Sequence, residues 1–291
     1  MSRLIHYQRA LFFVSGGVLL GIVLLNYEVP QLAQITLLAI LVGLVGLPHG
    51  ALDPLVAREA GLWTDGPSLF RFLLAYVALG GAALLVWLVT PFVSLLIFLL
   101  YSAFHFSGDW RDDLPLPFRL AVGLYIVSAS ALFFPDLTAH AFGLLTDEPS
   151  GAMAVKVMRT LALPALLLIA VALLSPKAPL ITKVEILALL VAGYLMQPLL
   201  FFLLYFCAQH SPRHLIHAAY GLPAKAVIGT AALFTLLTVL LALIAFPMLQ
   251  TLPRMDAIIQ IVFVGLAILT VPHMLLVEYA ARGGSRAPAF H

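Results

Sequence analysis

Residues 31–53, QLAQITLLAILVGLVGLPHGALD, join a long apolar run to a histidine and an aspartate at its end. The run is long enough for a membrane-spanning helix, which takes about 20 predominantly apolar residues. His49 and Asp53 follow in the closing segment PHGALD. Ionisable groups at membrane depth are costly unless they are paired, so they indicate a functional site. This stretch therefore predicts a membrane helix with a polar site near its end.

The composition extends this prediction to the whole chain. Hydrophobic residues make up 63% of it and charged residues 10%, whereas soluble domains carry about 25% charged residues. The apolar runs are continuous rather than alternating, which excludes a transmembrane β-barrel. The predicted fold class is all-α, a polytopic integral membrane bundle of about 8–10 helices.

Nine apolar segments are candidate spans, and the connections between them are too short to hold a soluble domain. The candidates are 10–26, 31–49, 69–89, 92–107, 117–134, 158–174, 184–207, 225–246 and 257–279. The longest polar connections are 50–68, 108–117, 135–157 and 247–256. We therefore expect a single membrane-embedded domain over 1–291, with a mobile C-terminal tail at 283–291.

Charge placement gives a weak orientation. Arg3 and Arg9 precede the first span, and further basic residues flank connections of the same parity, which favours a cytoplasmic N-terminus. A break at Gln197–Pro198 would change the parity, so the side of the C-terminus stays open. The first span has no small-residue cleavage site after it, which argues against a signal peptide. We expect a multi-pass protein of the cell membrane.

Other classes of partner and site are disfavoured. No basic patch with interleaved aromatic residues is present, so nucleic acid is not an expected partner. The single cysteine, Cys207, excludes an intramolecular disulfide framework and cysteine-rich zinc sites. We expect it to pack as a small apolar residue.

Five histidines lie beside apolar runs and carry the chemical signal: His49, His105, His210, His214 and His273. The segment HSPRH holds two of them four residues apart, a spacing at which helical side chains share a face and can chelate one metal. In PHGALD and FHFSGD an aspartate, Asp53 or Asp109, follows the histidine by four residues. Such a pair predicts a metal ligand and the acceptor that orients its ring. Glu278 follows the last histidine by five residues as a third candidate acceptor.

Each pattern alone also fits a helix cap or an interfacial histidine. The repetition of the pattern in a chain with 10% charged residues favours a site. His6, His140, His217 and His291 lie in terminal or loop contexts and are not expected to be ligands. Neutral imidazoles without thiolates suit Fe(II), Zn, Cu or Ni, and the spacing does not choose among them.

The surroundings of these histidines are apolar and rich in aromatic residues, so any substrate reaching them would be hydrophobic. Most of these side chains are expected to face lipid or to pack. The candidates for a substrate pocket are Tyr101, Phe104, Trp110 and Tyr205.

The motifs GLPHGALDP, FHFSGDW, QHSPRH and VPHMLLVEYA, in this order over roughly 35–281, resemble the Brp/Blh family of integral-membrane carotenoid oxygenases. PHGALD is the most specific match. The resemblance implies an all-helical membrane fold in a bacterial or archaeal inner membrane. It implies O2-dependent cleavage of β-carotene at its central double bond, with Fe²⁺ as cofactor and two retinals as product. A rhodopsin apoprotein would be the recipient of the retinal.

By the same resemblance the iron ligands are His49, His105, His210 and His214, and His273 is a fifth ligand or a pocket residue. Two alternatives stay open. A membrane metalloenzyme acting on lipid would use similar ligands, but such enzymes carry several histidine boxes and this chain has one HxxxH. A proton-coupled transporter could use buried histidines and aspartates, but no internal repeat is evident.

Overall fold

A computed structural model describes residues 1–249 and 252–282, and every regular element in these residues is helical. The predicted tail at 283–291 lies outside them. The α-helices are α1 Ser2–Leu24, α2 Gln31–Leu41, α3 Leu47–Ala51, α4 Asp53–Glu59, α5 Gly66–Val89, α6 Pro91–Ser107, α7 Leu116–Phe133, α8 Pro135–Leu145, α9 Glu148–Leu174, α10 Leu180–Leu195, α11 Pro198–Leu203, α12 Ser211–Ala219, α13 Ala224–Ala245 and α14 Arg254–Arg282.

Eight helical segments within the described residues are long and apolar enough to cross a membrane. They are Arg3–Leu24, Gln31–Glu59, Gly66–Val89, Pro91–Trp110, Leu116–Phe133, Glu148–Leu174, Ala224–Leu249 and Arg254–Arg282. Helix α13 has no buried residue, and large apolar side chains on it, such as Leu236 and Leu241, are exposed. Such faces are suited to contact with lipid. The predicted all-α polytopic fold is confirmed.

Several of the predicted segments differ from the structure, among them the connection predicted at 50–68, which contains α4. The span predicted at 184–207 is interrupted, because α10 ends at Leu195 and α11 begins at Pro198. Gln197 between them has an extended backbone, the conformation that a following proline imposes. The connection predicted at 135–157 contains α8 and the first turns of α9. Asp147 caps α9 by accepting a hydrogen bond from the backbone nitrogen of Ser150, so a polar stretch begins a helix here.

The chain divides into two compact units. Unit 1 consists of Met1–Gln8, Ile35–Val89 and the described part of Ser211–His291. In it α3 packs against α12 and α13, and α14 packs against α4 and α5. Leu52 and Leu276 belong to its buried core. Pro272 lies inside α14, directly before His273.

Unit 2 consists of Arg9–Gln34 and Thr90–His210. In it α7 packs against both α6 and α9. The approach of α7 to α6 requires glycine at position 123, because an added Cβ would lie 2.0 Å from the carbonyl oxygen of Ala103. His105 follows Ala103 by two residues, so this close contact fixes the part of α6 that carries the histidine.

Two π-helical segments interrupt the regular helices, Val42–Gly46 before α3 and Leu204–His210 after α11. In the first, the backbone nitrogen of Leu47 donates to the carbonyl of Val42, five residues earlier. Such wide turns are rare and frequently occur at functional sites. The first segment ends three residues before His49, and the second ends at His210.

The replacement Gly123→Ala tests the close packing of α6 on α7. The added methyl group would force the two helices apart, so we expect a loss of stability of about 1–3 kcal/mol, with some loss of bound metal. The measurement is thermal unfolding in detergent together with metal content. Gly229→Ala on α13 is the matched control, because nothing lies within 4 Å of the added Cβ. Equal melting temperatures for the two variants would contradict the packing argument.

Candidate metal centre

His105 and His210 converge in unit 2. His105 lies in the last turn of α6, and His210 is the last residue of the second π-helical segment. Both residues are buried, and their Nε2 atoms are 3.1 Å apart. Two nitrogens bound to one metal at about 2.1 Å each, at right or tetrahedral angles, would be separated by about 3.0–3.4 Å. The two rings therefore have the arrangement of neighbouring ligands on a metal ion.

Asp109 orients the ring of His210. Nδ1 of His210 lies 3.2 Å from Oδ1 of Asp109, and the hydroxyl of Tyr205 donates to Oδ2 at 2.8 Å. A carboxylate accepts only, so Nδ1 of His210 carries the proton and Nε2 keeps its lone pair. That lone pair points toward Nε2 of His105. The ring of His210 therefore has the tautomer that a metal ligand needs.

The partner of Asp109 differs from the expectation. The spacing in FHFSGD predicted a bond to His105 along one helix face. However, α6 ends at Ser107 and Gly108–Trp110 forms a 3₁₀ turn, so the i, i+4 relation of an α-helix does not apply. The turn brings the carboxylate to His210 instead.

A second group of histidines lies in unit 1. Nδ1 of His273 donates to the carboxylate of Asp53 at 2.8 Å, and the hydroxyl of Tyr76 donates to the same carboxylate at 2.7 Å. The sequence predicted His49 as the partner of Asp53. The helix is interrupted at Leu52, between α3 and α4, so the two residues do not share one continuous helix face.

His49 takes its orientation from the backbone. Its Nδ1 is in close contact with the carbonyl oxygen of Gly46, the last residue of the first π-helical segment. The His49 ring centroid lies 5.3 Å from that of His273 and 6.2 Å from that of His214. In both His49 and His273, Nδ1 is engaged as a donor and Nε2 is left as the nitrogen able to bind a metal. Unit 1 therefore brings three of the predicted histidines together.

Glu278 does not follow the prediction. It accepts a hydrogen bond from Arg282 on an exposed face of α14, while Asp53 accepts the hydrogen bond from Nδ1 of His273. A spacing of five residues turns Glu278 by about 140° around the helix from His273, which explains why it cannot share the histidine's face.

The four aromatic pocket candidates fall into different environments. Tyr205 and Trp110 are fully buried donors, to Asp109 and to Glu185 respectively. Tyr101 is half-buried, and Phe104 is 40% exposed. Their contact with a substrate stays a prediction.

Three functional features escaped the sequence reasoning. Tyr76 lies within an apolar span, where nothing in the sequence marks it as a donor. Glu185 lies in α10, far along the chain from the loop that it contacts. The first π-helical segment did leave a mark in the sequence. Gly43 and Gly46 precede Pro48, and proline has no backbone N–H to continue a regular helix.

The chain matches a described protein family over most of its length. The family model described as beta-carotene 15,15'-dioxygenase matches residues 40–280. A curated relative from an uncultured marine bacterium, 66A03, carries the name beta-carotene 15,15'-dioxygenase. It is 31% identical over 260 residues, which cover 83% of this chain and 92% of the relative. No solved structure matches the chain.

The replacement Asp109→Asn tests the orientation of His210. It weakens the acceptor for Nδ1, so we expect metal affinity to fall roughly 10–100-fold, measured by metal titration of the purified protein. Asp112→Asn, an exposed carboxylate in the same loop, is the control and should bind metal like the unmodified protein. Equal affinities for both variants would refute the assignment.

A double-mutant cycle tests the pairing of Asp53 with His273. We expect Asp53→Asn alone to lower the metal affinity or the activity of the protein. Added to His273→Ala, it should lower them little further. The reason is that the carboxylate acts through that ring. A full additional loss in the His273→Ala background would show that Asp53 acts through another residue, with His49 as the first alternative.

Proposed function

The chain belongs to the beta-carotene 15,15'-dioxygenase family, and from this membership we propose that it cleaves β-carotene at the central double bond. One atom of O2 enters each half, so that one carotenoid and one O2 give two retinal molecules. The observation that carries the proposal is the convergence of two histidine Nε2 atoms, 3.1 Å apart, within the region that matches the family. Family membership also favours an oxygenase over a lipid-modifying metalloenzyme or a proton-coupled transporter.

Fe²⁺ is the proposed metal, and its proposed ligands are His49, His105, His210 and His214. Histidine clusters able to bind a metal occur among the described residues, and neutral imidazoles suit non-haem Fe(II). The spacing of His105 and His210 in unit 2 and the grouping of His49 with His214 in unit 1 support this set. His273 is proposed as a further ligand or as a pocket residue. When bound, the ion would supply the activation of O2 beside the polyene.

The protein's own groups would hold the ligand rings in one protonation state. Asp109 and the Gly46 carbonyl each engage an Nδ1 atom, of His210 and His49 respectively. This leaves Nε2 free of a proton on both rings. Asp53, held by Tyr76, would do the same for His273. No side-chain nucleophile is needed, because the oxygen atoms of the products come from O2.

The substrate is proposed to enter from the bilayer. Moving a polar substrate into apolar surroundings would require hydrogen-bond partners to offset its desolvation, whereas a hydrocarbon dissolved in lipid has no such requirement. Tyr101 lies one helical turn before His105 on the same face of α6, and Phe104 is 40% exposed on that helix. We propose these two residues as contacts of the polyene. Trp110 and Tyr205 serve the buried hydrogen bonds described above.

The location of the enzyme follows from its apolar helices, which make it a multi-pass membrane protein. We propose the bacterial or archaeal inner membrane as its location. A rhodopsin apoprotein is the proposed recipient of the retinal, which is itself membrane-soluble.

An assay with purified, iron-loaded protein tests this function. We expect β-carotene in detergent or lipid to be consumed only in the presence of O2, with retinal as the product detected by chromatography. Alanine at any of the four ligand positions should abolish the activity and strip most of the metal from folded protein.

His140→Ala is the matched control, since His140 is an exposed histidine of α8, and it should retain both iron and activity. Intact β-carotene after aerobic incubation with iron-loaded protein would refute the cleavage. Retention of iron and activity in any one of the four variants would refute that residue as a ligand.

A further inference from the structure

Glu185 is a buried carboxylate in α10 that lies outside the proposed ligand set. Its side chain has no exposed surface, and it accepts hydrogen bonds from two donors. Arg9 Nε lies 2.9 Å from Oε1, and the indole nitrogen of Trp110 lies 3.2 Å from Oε2. The carboxylate is therefore charge-paired and also tied to the loop that follows α6.

A second hydrogen bond ties α10 to the same loop. The hydroxyl of Thr182 donates to Oδ2 of Asp113 at 2.5 Å. Thr182 and Glu185 are three residues apart, so they share one face of α10. Thr182 bonds to the loop at Asp113, and Glu185 bonds to it at Trp110. Asp109, adjacent to Trp110, carries the carboxylate that orients His210.

The chemistry of this contact indicates positioning rather than packing. Burying an ion pair is costly, and apolar residues of similar volume often stabilise a fold equally well or better. A carboxylate adds directionality, because it accepts hydrogen bonds from donors that lie in defined directions. Here the donor is Trp110, so the hydrogen bond orients the 3₁₀ turn Gly108–Trp110.

We propose that Glu185 is a positioning residue for the metal centre. By holding Trp110, it sets the turn that places the Asp109 carboxylate on Nδ1 of His210, and thereby fixes the ligand nitrogen of that ring. This inference rests on the proposed function, because His210 is taken as a metal ligand.

Titration of metal-free, full-length protein in detergent with Co²⁺ tests the inference. The visible absorption of bound Co²⁺ reports both its affinity and the geometry of its ligands. Glu185→Leu should raise the Co²⁺ dissociation constant roughly three- to tenfold, less than loss of Asp109 itself, and should alter the absorption bands. Trp110→Phe removes the indole donor and should act in the same direction.

Two variants separate positioning from general stability. Glu185→Gln keeps an oxygen acceptor for Trp110 and should restore most of the Co²⁺ affinity, even though the charge opposite Arg9 is lost. Asp112→Asn, in the same loop but exposed, should leave the titration unchanged. If Glu185→Leu does not fold, the comparison of Trp110→Phe with Glu185→Gln decides the question.

A double-mutant cycle with Asp109→Asn completes the test. Because Glu185 is inferred to act through Asp109, the two losses of affinity should combine to less than their product. A Glu185→Leu protein that melts earlier but binds Co²⁺ like the unmodified protein would overturn the inference. If Asp109→Asn and His210→Ala also bind Co²⁺ normally, the proposed centre itself fails, and the inference fails with it.

Discussion

The pairing of buried carboxylates is the constraint on which this structure depends. Water is absent from the hydrocarbon core, so an unpaired carboxylate or imidazole there is strongly disfavoured. The buried acids described above follow this rule. Asp53 accepts from Tyr76 and His273, Asp109 from Tyr205 and His210, and Glu185 from Arg9 and Trp110. Each acid accepts hydrogen bonds from residues of other helical elements, so the polar contacts also set how these elements pack.

The same contacts prepare the imidazoles for a metal. A neutral histidine has one N–H and one lone pair, and an acceptor on Nδ1 leaves Nε2 as the ligand. The chain supplies this acceptor in two ways, as a carboxylate for His210 and His273 and as a backbone carbonyl for His49. The carbonyl of Gly46 lies at the end of a π-helical segment. A backbone carbonyl at a π-helical segment can therefore orient a histidine ring as a carboxylate does elsewhere.

The interruptions of the helices matter as much as the helices. Asp53 and Asp109 both follow a break, at Leu52 and at Gly108 respectively. Each break turns the acid away from the histidine four residues earlier and toward a histidine more than a hundred residues distant in the chain. A regular helix would have produced local pairs, whereas the breaks produce pairs that join distant helices. Such pairs make the orientation of the imidazoles a property of the folded unit.

The sequence by itself determined the membrane class and the helical fold, and it predicted the histidines of the metal site. Apolar runs of spanning length admit only helices, and ionisable residues beside them are too costly to occur without a partner. It also indicated the family, through motifs that contain those histidines. Only the tertiary structure decided which acid faces which ring, because Asp53 with His273 and Asp109 with His210 are contacts between separate elements. Glu185 and Tyr76 became visible for the same reason: a donor or acceptor contributed by a distant helix leaves no periodic mark in the chain, and only folding brings it within hydrogen-bonding distance.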